Sequence, residues 1–259
     1  MEKLIDLNSQ NLRDEHICCA ISDKKCVEGY EAKKDWLEKE FANGYTFRRI
    51  DARAKVFTEF GPAENAWVPV EAPGYLLINC FWVSGRYKKQ GYGKKLLASV
   101  MDDARNQGKH GVVTVVGKKK YHFMGDGKWF LRQGFEISDE TPDGFLLLAK
   151  KLDTNNPSPT FSESVKQGGC PEANGLVAYY SNRCPFTEYH VRKSLEETAQ
   201  NRNLPLKIIK LETAEQARQC SSPATIFSLF LDGKFVTTDV SVCMDSRFDR
   251  ILEKSLVGR

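Results

Sequence analysis

Residues 78–97 read Ile-Asn-Cys-Phe-Trp-Val-Ser-Gly-Arg-Tyr-Lys-Lys-Gln-Gly-Tyr-Gly-Lys-Lys-Leu-Leu, running from an apolar strand through a basic glycine turn into a helix. Leu96, Leu97, Val100, Met101 and Ala104 recur at i, i+1, i+4, i+5 and i+8, the buried stripe of an amphipathic helix. A turn of this kind presents free backbone N–H groups, and the following helix adds its positive dipole end. Gly91 and Gly93 let the backbone approach a phosphate closely, where any side chain would block it. Strand-to-helix turns also use glycine for geometry alone, so the turn by itself leaves both readings open.

The neighbouring sequence narrows the choice. Val112-Val-Thr-Val-Val116 is a β-branched run suited to a buried strand. Trp129-Phe-Leu-Arg-Gln-Gly-Phe135 then places an aromatic pair ahead of Gly-Phe. With the strand ending at Val83, Lys88-Lys-Gln-Gly-Tyr-Gly93 resembles the Gln/Arg-x-x-Gly-x-Gly/Ala turn of the GNAT acetyltransferases. Lys88 stands where that family usually has Gln or Arg, which keeps a donor and a positive charge. The resemblance spans residues 1–152 and rests on the order of its motifs. It implies an α+β or α/β fold, a central mixed sheet flanked by helices, with acetyl-CoA as co-substrate and no metal.

The resemblance also implies site residues. The acetyl group would lie beside Phe81, Trp82 and Val83, and the pyrophosphate on the turn of Lys88, Lys89, Gln90, Gly91, Tyr92, Gly93 and Lys94. The reaction would be acyl transfer from a thioester to an amine, which requires a donor on the thioester carbonyl, removal of the amine's proton and release of a thiolate. Phe130 stands where the family often has a tyrosine acid, and it cannot donate a proton. Glu59 and Glu64 are the candidate bases near the central strand, although each also reads as an ordinary solvated carboxylate.

Composition sets the outer bounds. The chain has 259 residues, enough for two domains, with 41% hydrophobic and 28% charged residues. No apolar run nears the roughly 20 residues that cross a bilayer, and the N-terminus lacks a signal-peptide pattern. The cytoplasm is therefore the expected location. A net charge of +4 is too small to argue for nucleic acid. The charge is concentrated, however: Arg86, Lys88, Lys89, Lys94 and Lys95 crowd the glycine turn, as suits attraction of phosphates. The eight cysteines (18, 19, 26, 80, 170, 184, 220 and 243) lack the spacing of a disulfide scaffold. His16, Cys18, Cys19 and Cys26 lack a second pair at zinc-ligand spacing and read as buried small side chains in a helix.

Along the chain, strands are expected at 4–7, 46–50, 54–60, 75–83, 112–116, near 136, and at 145–152. Helices are expected at 14–20, 31–41, after Gly93, and near 129–133. Residues 66–70 read as short extended structure. Residues 153–175 are rich in Pro, Gly, Ser and Asn and read as a linker. A compact pattern over 176–259 follows: strand 176–180, helix 188–200, strand 206–211, helix 214–219, strand 222–231, an Asp232-Gly233 turn, strand 234–239 and helix 246–256.

This order resembles a thioredoxin fold. Cys184-Pro-Phe-Thr187 lies where that fold carries Cys-x-x-Cys, and Pro223 where it carries a cis-proline. The whole chain resembles GNAT acetyltransferases with a YoaP-like C-terminal domain. Cys184 would sit at a helix N-terminus, with Pro185 at the first helical position, and the dipole there lowers a thiol pKa. Without a second cysteine at 187, three roles remain open: mixed-disulfide chemistry, holding a substrate, or a packing surface. Cys220 is a candidate to approach Cys184.

The leading reading is an acetyl-CoA-dependent N-acetyltransferase acting on an amine, with the C-terminal domain shaping the acceptor site. The alternative is a thiol-redox or thiol-binding protein with a non-catalytic acyl-CoA-binding half, and a third reading is an acyl-CoA sensor. Acceptor identity and oligomeric state lie beyond the sequence.

Overall fold

A computed structural model describes residues 2–257. The N-terminal part runs β1 (Leu4–Leu7), α1 (Val27–Phe41), β2 (Thr46–Ile50), β3 (Val56–Pro62), β4 (Val70–Glu71), β5 (Tyr75–Val83), α2 (Tyr92–Asn106), β6 (Gly111–Gly117), α3 (Gly127–Arg132), β7 (Glu136–Glu140) and β8 (Phe145–Lys151). Seven of these strands form one sheet in the order β1-β2-β3-β5-β6-β8-β7. Its central pair, β5 and β6, is parallel and the remaining pairs are antiparallel. The connection between β5 and β6 is α2, as a parallel pair requires.

The sheet has two covered faces. On one, Leu97, Val100, Met101 and Ala104 of α2 pack with Phe130 of α3 on Leu76, Ile78, Val112 and Val116. This is the stripe legible in the sequence. On the other, Leu77, Val113 and Leu147 meet Trp36 and Leu37 of α1.

A short strand β9 (Thr160–Phe161) pairs antiparallel with β4, and Phe161 and Val165 are buried. The stretch 153–175, expected to be a linker, thus carries part of the core. Beyond it come β10 (Leu176–Tyr180), α4 (Thr187–Tyr189), a π-helical turn at His190–Leu195, α5 (Glu196–Gln200), β11 (Leu206–Lys210), α6 (Ala214–Arg218), β12 (Phe227–Leu231), β13 (Lys234–Thr237) and α7 (Asp245–Val257). The second sheet has the order β11-β10-β12-β13, with β10 parallel to β11 and antiparallel to β12. Its one face has its own core of Leu176, Tyr180, Val191, Leu195, Phe227 and Phe248. Its other face places Tyr179, Phe230 and Phe235 in the cluster that also holds Trp36, Leu77 and Leu147. The C-terminal unit therefore covers the α1 side of the large sheet. Among the described residues, no helix is long and apolar enough to cross a membrane.

Several elements differ from expectation. Residues 14–20 form turns and no helix, because Cys18 and Ala20 adopt φ of 64° and 53°, values that interrupt a right-handed helix. Residues 188–200 are helical, but their middle turn is π rather than α. The strand expected from 222 begins only at Phe227, and the peptide before Pro223 is trans.

One contact ties the two units directly. Gly29 of α1 abuts the Pro185 carbonyl, so closely that a Cβ there would overlap it. We expect Gly29→Ala to push α1 off this turn and cost about 1–3 kcal/mol, as overpacking does. A urea-unfolding midpoint equal to that of the parent chain would refute this close-approach argument.

Candidate active site

The site begins where two strands part. β5 and β6 pair over four positions, Tyr75–Gly111 to Ile78–Thr114, and then diverge. Thr114 Oγ1 donates to the Ile78 carbonyl at 3.0 Å, closing the last rung. Directly afterwards, Asn79 is an extra residue in β5: Glu59 and Phe60 are consecutive in β3, yet they face Cys80 and Ile78. Such a bulge bends its strand and sharpens the local twist. Beyond it, residues 80–83 still pair with β3, and 115–117 still pair with β8. On its β5 side β6 makes one isolated bridge, Val116 to Gly125. The β5 edge from Asn79 to Val83 therefore faces a wedge-shaped gap.

The floor of that gap is aromatic. Phe81 lies 5.1 Å from the Trp129 ring and 5.4 Å from Phe130, centroid to centroid. Phe130 is buried in the core beneath the sheet. Trp82 points outward and is exposed, and Val83 is half-buried.

β5 leads through a 3-10 turn at Gly85–Tyr87 to the glycine turn and α2. Gly91 caps α2 at φ 84°, and no side chain caps the helix. Lys89 adopts φ 61°, a left-handed conformation that costs a non-glycine residue energy and marks a constrained turn. The first N–H groups of the helix lack intrahelical partners. Lys88, Lys89, Gln90 and Lys94 are exposed around them. Tyr92 is buried, with its hydroxyl accepting from the Glu2 N–H at 3.1 Å, so its share in the turn is its backbone. Gly93 has a reason that the sequence did not reveal: a Cβ there would stand 3.1 Å from the Trp129 ring.

The opposite side of the gap holds a buried polar cluster. Lys33 and Glu59 have side chains 3% exposed, and Lys33 Nζ donates to both Glu59 oxygens at 2.7 Å and to the Arg183 carbonyl at 2.6 Å. Tyr45 donates to Glu59 Oε2 at 3.0 Å. Burial and the Glu59 charge hold the Tyr45 hydroxyl well above its ordinary pKa. Glu59 is thus an ion-paired structural group rather than a solvated carboxylate.

Glu64 lies elsewhere. It is exposed and accepts from the Gly74 N–H at 2.7 Å, at the start of β5. Cys80, the partner of Glu59, lies six residue steps along the strand from Gly74, a distance of about 20 Å. The two glutamates do not form one site.

Cys184 is only 9% exposed. Its thiol is pushed up to about 12, chiefly by burial, although the Phe186 N–H partly offsets this. The expected acidic thiol is therefore not found, because desolvation outweighs the helix-end field. Pro185 also precedes the helix, which starts at Thr187, so it is not the first helical residue. The charges acting on Cys184 are Cys19, Lys33 and Glu59, whereas Cys220 is influenced by Cys170. All eight cysteines are free, and among the described residues no group of three or more His, Cys, Asp or Glu could hold a metal ion.

With this geometry in place, comparison with known proteins is informative. The acetyltransferase (GNAT) family matches residues 10–122 and the YoaP-like family matches residues 205–250. The chain is 37% identical over 248 residues to the uncharacterized N-acetyltransferase YoaP of Bacillus subtilis (strain 168), covering 96% of this chain and 97% of that one. The chain belongs to the GNAT N-acetyltransferase family, in the group with a YoaP-like C-terminal part. Among solved structures, the PaiA N-acetyltransferase of Thermoplasma acidophilum with coenzyme A matches at 14% identity and a TM-score of 0.41, over 58% of this chain and 99% of that one. The GNAT N-acetyltransferase YhbS of Escherichia coli with CoA matches at 15% identity and a TM-score of 0.40, over 62% and 90%.

Two predictions follow from the buried groups. Lys33→Met strands the Glu59 charge in the interior and should cost about 3–5 kcal/mol. Adding Glu59→Leu should recover at least half of that loss in urea melts, and additive losses would show that the pair is not coupled.

The second concerns the thiols. At pH 8 a thiol at about 12 is ionised in roughly one molecule in 10⁴. Cys170, half-buried and raised only to about 11, should be alkylated ahead of Cys184; peptide mapping that finds Cys184 labelled first would overturn this. Because burial raises these thiols, their support of the fold is complete below the ordinary thiol value of about 8.5 and is lost as pH climbs toward 12. The urea midpoint should accordingly fall above about pH 9.

Proposed function

We propose that this acetyltransferase moves the acetyl group of acetyl-CoA onto an amine, with the pyrophosphate held at residues 88–94 and the pantetheine arm laid along the β5 edge from Asn79 to Val83. One observation carries the reading: the unpaired β5 edge leads from the bulge at Asn79 to the uncapped start of α2. An extended arm with two amide groups pairs with such an edge as an added strand would. Free N–H groups, the helix dipole and the lysines of the turn suit the phosphates.

In this reading the amine nitrogen, having lost its proton to water, attacks the thioester carbonyl. The C–S bond then breaks and CoA leaves as a thiolate. Phe130 is a core residue with no proton to give, so water protonates the thiolate. Glu59 is held by Lys33 and Tyr45, which suits a positioning role better than that of a free base. Residues 1–152 form the catalytic unit, and 176–259 cover the α1 side of the gap and shape the acceptor's place. Buried thiols at raised pKa give the thiol-exchange alternative no geometric support.

Calorimetry on the full chain tests this. Gly91→Val, which forces a β-branched residue into φ 84°, and Gly93→Val, which drives a side chain at Trp129 and the phosphates, should each weaken acetyl-CoA binding at least tenfold. Lys88→Glu should weaken it less and increase the response to salt. Unchanged affinity in folded Gly91 and Gly93 variants would defeat the cofactor assignment.

A further inference from the structure

Arg183 is a buried cation whose direct partners are all neutral, as is the carbonyl partner of buried Lys34. It is 5% exposed, yet it makes no ion pair with a carboxylate. Its Nη1 donates to the Trp67 carbonyl at 3.0 Å and to Thr225 Oγ1 at 2.7 Å, and its Nη2 donates to Asn79 Oδ1 at 2.6 Å. All three acceptors are neutral. Nε is buried without a partner. Three bonds leave part of a five-donor guanidinium unused. Glu59, the nearby buried carboxylate, is already held by Lys33 and Tyr45. Glu40 feels the Arg183 charge without a hydrogen bond to it, and burial raises its pKa while Trp67, Asn43 and Arg183 oppose that rise. Arg183 is thus a buried guanidinium with no carboxylate in direct contact.

That charge borders a cavity. A space of about 40 Å³ has mostly apolar walls, including Leu77 and Val115, into which Asn79, His122, Arg183 and Thr225 bring polar groups. It therefore sits at the fork where β5 and β6 separate. Its outer wall is the loop after β6, which is tied to the C-terminal unit by Thr238 Oγ1 donating to the His122 carbonyl and by Phe123 against Phe186. A water needs about 10–15 Å³ by this measure, so the cavity accepts a group of carboxylate size and little more.

We propose that Arg183 binds the carboxylate of the acceptor, and that the acceptor is an amino-acid-like amine in which the anion fixes the amine at the fork. This rests on the acetyltransferase reading above. A planar guanidinium at the cavity wall matches a carboxylate's two oxygens, and such a ligand would give Arg183 the direct anionic partner that its neutral acceptors do not supply. The residue comes from the C-terminal unit and its target lies in the N-terminal sheet, which gives the second unit a chemical task in acceptor choice. Arg183 is thereby a specificity-determining residue.

The test uses the full chain and the probes glycine, sodium formate and glycinamide, with sodium chloride at matched ionic strength as reference. Glycine and formate should raise the melting temperature saturably over chloride, and glycinamide should not. Asn79→Asp places a carboxylate against Nη2 and should weaken the formate response at least tenfold without unfolding the chain; Arg183→Gln should abolish it if that variant folds. No saturable effect of formate or glycine on the parent chain, or an equal effect in Asn79→Asp, overturns the proposal. Acetyl-CoA calorimetry on the same samples separates the two readings, since binding of the cofactor without a carboxylate response defeats this inference alone. In turnover, an amino acid should exceed its own amide at least tenfold in kcat/KM, and an amide used as well as its acid would also refute the assignment.

Discussion

The separation of β5 from β6 after Ile78 is the constraint around which the molecule is built. Each strand keeps its outer partner, so the sheet stays intact while its centre opens. The Asn79 bulge bends β5 away, and the Thr114 hydroxyl seals the last shared rung. An opening in a sheet exposes backbone groups that water, protein or ligand must satisfy. The burial along β5 changes at the same point, with Tyr75–Ile78 buried and Asn79–Val83 mostly half-buried. One strand thus serves as core in its first half and as an edge open to the gap in its second.

What surrounds the opening follows from that. Beneath it, Phe81, Trp129 and Phe130 form an aromatic floor, and the Trp129 ring crowds position 93. Above it, α1 and the C-terminal unit meet across Gly29 and Pro185 and across the Lys33 ammonium, which bridges Glu59 and the Arg183 carbonyl. Buried ion pairs contribute little net stability because desolvation cancels most of the attraction. Their geometric demand is strict, however, and this one fixes the residue before Cys184 relative to β3. The position of Arg183 over the gap is a consequence.

The thiol at Cys184 shows two opposed effects at one atom. A helix start and the Phe186 N–H favour the thiolate, and full burial disfavours it more. The Cys-Pro sequence carries only the first effect. The second depends on α1 and on the close approach of Gly29 to Pro185, which are remote in sequence.

Elements with a local cause are legible in the chain itself. The α2 stripe, the β5 strand from Tyr75 to Val83, the glycine turn and the small unit's element order all follow from periodicity and turn chemistry within a few residues. Segment 14–20 departs from the helix its pattern suggests because its left-handed residues sit where Ile17 and Cys18 are buried. Residues 153–175 looked like a linker because Pro and Gly content says nothing of Phe161 finding a buried place beside Val70. Glu59 read as solvated because its partner Lys33 lies 26 residues away on another element. The gap between β5 and β6, the pairing of Lys33 with Glu59 and the place of Arg183 arise only in the assembled fold. Each depends on contacts between residues distant in the chain, and burial, which sets the strength of every charge among them, is a property of the assembled fold.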